Sequence, residues 1–167
     1  MITVSVLTLI NNMPYTTFHI PKSILTHTLS KKYNNWEQYD SSCNRKKIEI
    51  PFNTIQKIFK LTNLHIPISN NGNTYHYIKY WIKNNYKISS HSDGCQITII
   101  IYLKKDKSIK DQFYVENKLV TENLWSENLD TYGALAMWNI NNNNTLGPEH
   151  YGHITGNGER ELLCLFL

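Results

Sequence analysis

The sequence predicts a mainly β fold, a sandwich or double-sheet barrel, with flanking helices ahead of it. Apolar residues recur at helical spacing within the first 61 residues. From about residue 75 onward, short segments rich in β-branched and aromatic residues follow one another with no helical segment between them, which is typical of sandwiches and barrels. The turn-forming run Asn-Asn-Gly-Asn at residues 70–73 separates the two parts.

The first 70 residues predict a strand and two supporting helices. Pro21 suits the first turn of a helix, because the N–H that proline lacks would have no partner there, and apolar side chains follow it at helical spacing. The predicted elements are a strand at residues 2–10, helices at 21–32 and 51–61, a polar loop at 34–44 and a short strand at 48–50.

The later residues predict the strands of a β core. The run at residues 96–103 is the most apolar in the chain and predicts a strand buried on both faces. Because there is no internal repeat and no linker, we expect a single domain over residues 1–167, with 1–70 as its support and 75–167 as its core. The remaining predicted strands are 75–82, 86–88, 113–115, 118–120, 133–138 and 161–167, with a hairpin turn at Glu116 and Asn117 and a polar loop at 139–147.

Composition excludes several classes of protein. At 167 residues with 41% hydrophobic and 18% charged residues, the chain is long and apolar enough to bury a core. The net charge of +4 comes from scattered lysines without a long basic run, which disfavours nucleic acid as a partner. No segment has the length of a membrane span. Three cysteines without Cys-x-x-Cys spacing indicate neither a disulfide framework nor a zinc site and favour a reducing, cytoplasmic compartment, and the oligomeric state is left open.

His91 and Asp93 form a His-x-Asp pair directly before the apolar run. In a strand, side chains two residues apart share a face, so both could reach one ion. With a second imidazole they would cover one face of Fe(II) and leave the opposite positions open. The alternative interpretation is an exposed polar turn, Ser-Ser-His-Ser-Asp-Gly, with no ligand.

Arg160 precedes the apolar run Leu-Leu-Cys-Leu-Phe-Leu, so its guanidinium is expected beside the core. A buried cation requires an anionic partner, because leaving it unpaired is costly. Glu159 or Glu161 could be that partner. A dicarboxylate cosubstrate, held by a charge-assisted pair of hydrogen bonds, is the other possibility.

An ordered set of short motifs from residue 80 onward resembles a known family. Together they are similar to the double-stranded β-helix core of the Fe(II)/2-oxoglutarate-dependent oxygenases, most of all to the prolyl/lysyl hydroxylase type. The resemblance covers about half of the chain, and residues 1–70 carry no matching motif. The motifs are Tyr80, His-Ser-Asp-Gly at 91–94, Thr-Ile-Ile-Ile-Tyr-Leu at 98–103, Gly-Ala-Leu-Ala-Met-Trp at 133–138, His150, and Gly-Glu-Arg at 158–160.

The resemblance implies a jelly-roll, cupin-like core and a mononuclear iron site. His91, Asp93 and His150 would be the iron ligands. His153 competes with His150 for the third position. The family's usual ten-residue step from the distal histidine to the arginine favours His150 as the ligand and leaves His153 beside the site or facing the substrate.

The resemblance also implies a cosubstrate site. Arg160 would bind the distal carboxylate of 2-oxoglutarate, and Tyr102 and Tyr80 occupy positions from which such hydroxylases often direct a tyrosine toward that cosubstrate. Ordinary strand packing is the alternative role for both tyrosines.

The implied activity is hydroxylation of a C–H bond, using Fe(II), 2-oxoglutarate and O2 and releasing succinate and CO2. A prolyl or other protein or peptide side chain is the first expectation for the substrate. A free amino acid or another small molecule comes next. The alternative from a different class is a non-catalytic β-sandwich interaction module with a degenerate metal site.

Overall fold

The computed structural model describes residues 13–65, 67–125, 130–138 and 147–167. Within these ranges the chain forms a mainly antiparallel β structure with two short helices, neither of which has the length and apolar character needed to cross a membrane. The predicted strand at residues 2–10 lies outside the described residues. In chain order the elements are β1 (Tyr15–Pro21), α1 (Lys22–Leu29), β2 (Glu37–Asp40), β3 (Cys43–Ile48), α2 (Phe52–Lys60), β4 (Thr74–His91), β5 (Ile97–Lys105), β6 (Lys110–Val115), β7 (Lys118–Leu119), β8 (Thr131–Trp138) and β9 (His150–Phe166).

Strand β9 is the centre of the sheet. The strand order is β1-β8-β5-β9-β4-β3-β2, and every pairing is antiparallel. Strand β4 runs beside nearly the whole length of β9. On its other side, β9 pairs with β5 through its C-terminal half and with β6 through its N-terminal half, and β7 closes a hairpin with β6.

The alternation of side chains along the central strands builds two separate cores. On β5, Ile97, Ile99 and Ile101 belong to a core that the helices share, whereas Ile100 and Tyr102 belong to a second core on the other face. The prediction of a strand buried on both faces is confirmed. The helix-side core comprises Ile20, Leu25, Ile48, Ile50, Ile55, Ile58, Phe59, Ile97, Ile99, Ile101, Ala134, Ala136, Trp138, Leu163 and Leu165. The inner core comprises Cys43, Tyr80, Ile82, Ile100, Tyr102, Ile109, Phe113, Val115, Val120, Leu124, Leu135, Met137, Ile154, Leu162 and Cys164.

Glycines allow the chain to change partners halfway along β9. Gly156 and Gly158 have φ values of +106° and +141°, which side chains with a Cβ rarely adopt. A Cβ on Gly156 would lie 2.1 Å from the carbonyl oxygen of Ser108. The carboxylate of Asp106 accepts a hydrogen bond of 2.8 Å from the N–H of Glu159. This close approach lets β5 and β6 occupy the same edge of β9 in succession.

The strands that carry regular apolar alternation were predicted, as was the hairpin turn. Glu116 and Asn117 both have positive φ, 48° and 61°, as a two-residue hairpin of the primed type requires. The two helices lie within the segments predicted to be helical.

Three sequence predictions about polar segments are wrong. The predicted loop at residues 34–44 contains β2 and the start of β3, an edge hairpin whose exposed residues carry no apolar pattern. The predicted break between the strands at 75–82 and 86–88 is absent, because β4 runs without interruption from Thr74 to His91. Within it, Asn84 adopts a φ of +69°, and its N–H donates to the side chain of Asn157. Strand β9 begins well before the predicted strand at 161–167.

Gly133 tests the packing of β8 against the chain segment that precedes it. A Cβ there would lie 2.0 Å from the backbone oxygen of Leu124, and a backbone atom cannot rotate away as a side chain can. We expect Gly133→Ala to lower the free energy of unfolding by about 1–3 kcal/mol, the usual cost of overpacking. Urea denaturation measures the change. Gly94→Ala is the matched control, because its Cβ would meet no atom within 4 Å, and equal stability of the two variants would contradict the packing described.

Candidate metal centre

Three side chains with metal-binding atoms converge where β4 ends and β9 begins. His91 and His150 face each other across the β4–β9 ladder, and their ring centroids are 4.3 Å apart. The Asp93 carboxylate lies 3.9 Å from Nε2 of His91 and 3.6 Å from Nε2 of His150. One ligand atom from each residue lies within 4.8 Å of the other two. The three predicted ligands therefore form one group that could hold a metal ion.

The convergence does not arise from the strand spacing that the sequence suggested. Strand β4 ends at His91, so Asp93 lies two residues beyond it in the connection to β5. A register shift between Ile88 and His91 brings His91 opposite His150. The backbone oxygen of Asp93 accepts a 3.0 Å hydrogen bond from the N–H of Gly147. The predicted group is thus assembled by a connection and a bulge.

Backbone carbonyls set the orientation of both imidazoles. Nδ1 of His91 lies 2.7 Å from the oxygen of Ser89, and Nδ1 of His150 lies 2.9 Å from the oxygen of Pro148. A carbonyl can only accept, so each Nδ1 carries the proton and donates it. In the neutral tautomer that this hydrogen bond selects, Nε2 carries no proton and has a lone pair for a metal ion.

Thr98 fixes the carboxylate of Asp93. Its hydroxyl donates a 2.6 Å hydrogen bond to Oδ2 of Asp93. The Cys95 sulfur lies 3.1 Å from the same hydroxyl. Sequence reasoning included Thr98 in a motif but gave it no role, although it is a polar residue within an apolar run and shares the inner face with Ile100. Such outer contacts hold a ligand in position and contribute to metal affinity.

Burial favours the neutral form of the His150 imidazole, which is the form that binds a metal ion. His150 is 3% exposed, and this burial lowers the pKa of its imidazole, which stays neutral near neutral pH. The ring of Phe113 packs 5.6 Å from the His150 ring. Because a histidine must be neutral to ligate a metal, His150 does not have to lose a proton first. His91 is more open, with 47% of its side chain exposed.

The three candidate ligands open onto a cavity of about 560 Å³. This volume lies within the range of ligand-binding pockets in proteins. The wall also includes Arg160 and Tyr80, so the candidate metal centre and the predicted cosubstrate residues Arg160 and Tyr80 share one space. The other wall residues are Tyr39, Asp40, Cys43, Arg45, His76, Ile78, Tyr86, Lys87, Ile88, Ser89, Thr98, Ile100, Phe113, Leu162, Cys164 and Phe166.

Arg160 is paired with an acid that sequence reasoning missed. It is 1% exposed, and its Nε donates a 2.8 Å hydrogen bond to Oδ2 of Asp111. The indole Nε1 of Trp125 donates to the same oxygen, also at 2.8 Å. The guanidinium carbon lies 4.9 Å from the ring centroid of Tyr80. Asp111 could have been found as an acid two residues before Phe113, on the face of β6 that points inward.

The alternative in which Glu159 or Glu161 pairs with Arg160 is excluded, because Asp111 is the partner. Adjacent residues in a strand point to opposite faces, so both glutamates lie on the face of β9 away from the cavity. Glu159 lies near Lys104, at 4.0 Å. Glu161 accepts a hydrogen bond from Tyr77 and lies near a lysine of β4.

Some polar atoms around Arg160 are buried without a hydrogen-bond partner among the described residues. They are Nη1 of Arg160, the hydroxyl of Tyr102 and Oδ1 of Asp111. Tyr102 is 2% exposed and packs edge-to-face on Trp125, with ring centroids 4.9 Å apart. Unlike Tyr80, Tyr102 does not contribute to the cavity wall. Buried polar atoms of this kind are uncommon in proteins and often mark functional positions.

His153 is directed away from the candidate ligands. It lies between Lys87 and Gln112 in the sheet and is an odd number of residues from His150, so the two side chains point to opposite faces of β9. The group of three possible ligands includes His150 and not His153.

Comparisons with known proteins leave the family open. No family model matches the sequence, and no curated protein matches it. One solved structure, titled the structure of KdgF from Halomonas sp., aligns with 80% of this chain and 84% of that chain. The identity is 10% and the TM-score is 0.45, a level of likeness from which we draw no functional conclusion.

Thr98 provides a test of how the candidate centre is held. Thr98→Val keeps the side-chain shape but removes the hydroxyl that bonds to Asp93. We expect it to lower the affinity for Mn(II) or Fe(II) by about 10–100-fold, the usual effect of losing such a contact. Anaerobic calorimetric titration measures the affinity. Thr17→Val, at an exposed position of β1, is the control, and equal affinities of the two variants would contradict this role for Thr98.

Separate replacement of the two neighbouring histidines tests the choice of ligand. We expect His150→Ala to abolish metal binding and His153→Ala to leave it within about threefold of the parent protein, because loss of one ligand costs far more than loss of a solvent-side neighbour. The same titration gives both results. The reverse outcome, with His153 essential and His150 dispensable, would exclude the centre described above.

Proposed function

We propose that the protein is an Fe(II)- and 2-oxoglutarate-dependent dioxygenase that hydroxylates a C–H bond. The observation that carries this proposal is one cavity whose wall contains both a His-Asp-His group and a buried arginine, whose Nη1 has no hydrogen-bond partner within the part of the chain that the structure describes. The first group suits a metal ion, and the second suits a carboxylate. A cosubstrate that chelates the metal and ends in a carboxylate would use both.

The residues at the candidate centre fit Fe(II). His91 and His150 would each offer an Nε2 lone pair, and Asp93 would offer a carboxylate oxygen. Two imidazoles and one carboxylate leave coordination positions open, as the non-haem iron oxygenases require. The carboxylate also offsets part of the charge of the ion, which a purely imidazole site would not do.

The residues around Arg160 fit the distal carboxylate of 2-oxoglutarate. Arg160 Nη1 is a buried donor with no hydrogen-bond partner among the described residues. A guanidinium binds a carboxylate through charge-assisted hydrogen bonds. The ring of Tyr80 covers the guanidinium and forms part of the same wall. Tyr102 does not line the cavity, but its buried hydroxyl has no partner among the described residues, and we propose it as a further donor at this end.

We propose that the fold is a double-stranded β-helix, or jelly-roll, within a single domain that includes the N-terminal helices. The separation of the two cores supports this. The inner core and the cavity share one face of the sheet, while α1 and α2 pack on the other face. In such folds the reaction takes place inside, and the helices stabilise the outside.

When bound, Fe(II) and 2-oxoglutarate supply the oxidising power, with succinate and CO2 as coproducts of O2 use. The residues of the chain would hold the ion and orient the cosubstrate. His91, Asp93 and His150 would hold the ion, and Arg160 would set the position of the cosubstrate. Apolar wall residues such as Ile100, Phe113 and Leu162 would limit the access of water. A prolyl or other peptide side chain is the proposed substrate, for which the aromatic wall residues offer apolar contacts. A free amino acid or another small molecule is the alternative.

Anaerobic titration tests the proposed function. With Fe(II) present, we expect 2-oxoglutarate to bind and to produce a weak visible charge-transfer band, which neither component produces alone. His91→Ala should lose the band together with iron affinity. No iron-dependent binding of 2-oxoglutarate, or full iron affinity in His91→Ala, would instead favour a non-catalytic interaction module. A succinate-release screen over peptide, amino-acid and nucleic-acid pools then identifies the substrate class.

A second titration separates the two ends of the cavity. Arg160→Ala should weaken 2-oxoglutarate by about 10–100-fold and leave iron affinity nearly unchanged, because a hydrogen bond to a charged group contributes about 1.5–3 kcal/mol. Arg45→Ala is the matched control. This arginine is also at the cavity wall, but it pairs with Glu37, 2.8 Å away. Equal loss of iron and 2-oxoglutarate in Arg160→Ala would indicate a role in folding.

A further inference from the structure

We propose that Asp111 is a positioning residue, which anchors Arg160 through Nε and thereby keeps Nη1 available to a carboxylate ligand. The inference rests on the proposed function, because it concerns the same cosubstrate site. It assigns a role to a residue that lies outside every motif quoted from the sequence.

Both members of the pair are withdrawn from water. The side chain of Arg160 is 1% exposed and that of Asp111 is 0% exposed. A single oxygen, Oδ2 of Asp111, accepts from Arg160 and from Trp125, each at 2.8 Å. Trp125 also lies beside the guanidinium, 5.8 Å from ring centroid to carbon. The acid therefore has one of its oxygens fixed from two directions, and that oxygen fixes the arginine.

The planar guanidinium has little freedom left once Nε is bound. The Tyr80 ring lies 4.9 Å from its carbon, and the Trp125 ring contacts it as well. A rigid fork of donors that is anchored at one nitrogen presents the others in a defined direction. A ligand then meets an arginine that is already in place, and binding does not have to immobilise a long side chain.

Asp111 also keeps the arginine stable before any ligand arrives. A buried guanidinium without a counter-charge is strongly unfavourable. The carboxylate of Asp111 compensates that charge, and yet it occupies only the Nε position. When a ligand carboxylate binds at Nη1, one arginine lies between two carboxylates. The two anions repel each other, so Asp111 should lower the affinity through charge while it raises the affinity through geometry.

These opposing effects predict that two substitutions differ. In Asp111→Asn the amide oxygen can take the place of Oδ2 and accept both hydrogen bonds, while the negative charge is removed. In Asp111→Ala both hydrogen bonds and the charge are lost. A residue that only supports the fold would instead show losses of 2-oxoglutarate affinity that follow the loss of stability in both variants.

The first experiment titrates 2-oxoglutarate anaerobically into the Fe(II)-loaded parent protein and the two variants. We expect Asp111→Ala to weaken 2-oxoglutarate by about tenfold or more, as for loss of a charge-assisted contact, with iron affinity unchanged. Asp111→Asn should bind at least as tightly as the parent. Asp40→Ala, at a wall aspartate that bonds to Tyr86, is the control and should bind like the parent.

The second experiment needs no ligand, so it separates this inference from the proposed function. The chain has two arginines, Arg45 and Arg160, so a 15N spectrum contains two Nε–H signals, which Arg45→Ala assigns. The Arg160 signal should exchange slowly with solvent in the parent and in Asp111→Asn, and rapidly in Asp111→Ala. If Asp111→Ala does not fold, the exchange rate of the Arg160 signal is compared between the parent and Asp111→Asn. Rapid exchange in Asp111→Asn would then contradict the inference.

Two results would overturn the role of Asp111. One is folded Asp111→Ala with parental 2-oxoglutarate affinity and a protected Arg160 signal. The other is Asp111→Asn with an unprotected signal or a loss of affinity of tenfold or more. Failure of the parent protein itself to bind 2-oxoglutarate with iron would overturn the proposed function, and the purpose of the anchor with it, while the exchange measurement would still decide whether Asp111 holds Arg160.

Discussion

The antiparallel pairing of β4 with β9 is the constraint on which the site depends. Within this ladder His91 pairs with His150, and Tyr80 pairs with Arg160. A slip of one residue would turn every side chain of one strand to the opposite face, which would separate both pairs at once. The length of the ladder makes such a slip costly, because the apolar side chains of both cores would also be misplaced. One pairing therefore fixes the metal end and the arginine end together.

The polar groups of the candidate site each have a contact that leaves other atoms of the same group without a partner. Asp93 accepts from Thr98, and the two imidazoles donate to backbone carbonyls. Arg160 donates to Asp111 through Nε. In each case a neighbouring residue forms a hydrogen bond with one atom of the group. Among the described residues, the Nε2 lone pairs at the candidate centre and Nη1 of Arg160 are left without a hydrogen-bond partner. Our proposal assigns a cation to the first group of atoms and a carboxylate to the second.

The sequence was informative where apolar alternation is strict and uninformative where polar residues form strands. The central strand β5 was predicted because its isoleucines leave no other interpretation. The edge hairpin of β2 and β3 and the first half of β9 were missed. These segments are held by hydrogen bonds to neighbouring strands, and their sequences have no regular apolar alternation that would predict a strand. Similarly, the order of motifs brought His91 and His150 to attention. The roles of Asp111 and Thr98 were not predicted, because the role of a single polar residue on an inward face can be inferred only once its neighbours across the sheet are known.

The spacing of residues along β9 has a simple physical meaning. His150 and Arg160 are ten residues apart, an even number, so in a strand their side chains lie on the same face. The inner positions of β9 continue through Ile154 and Leu162, so the alternation survives the two glycines with positive φ. His153 is an odd number of residues from Arg160 and faces the other side. The ten-residue step therefore requires no family knowledge to be understood. Because the spacing is even, one strand directs both the candidate ligand His150 and the buried Arg160 toward the same cavity.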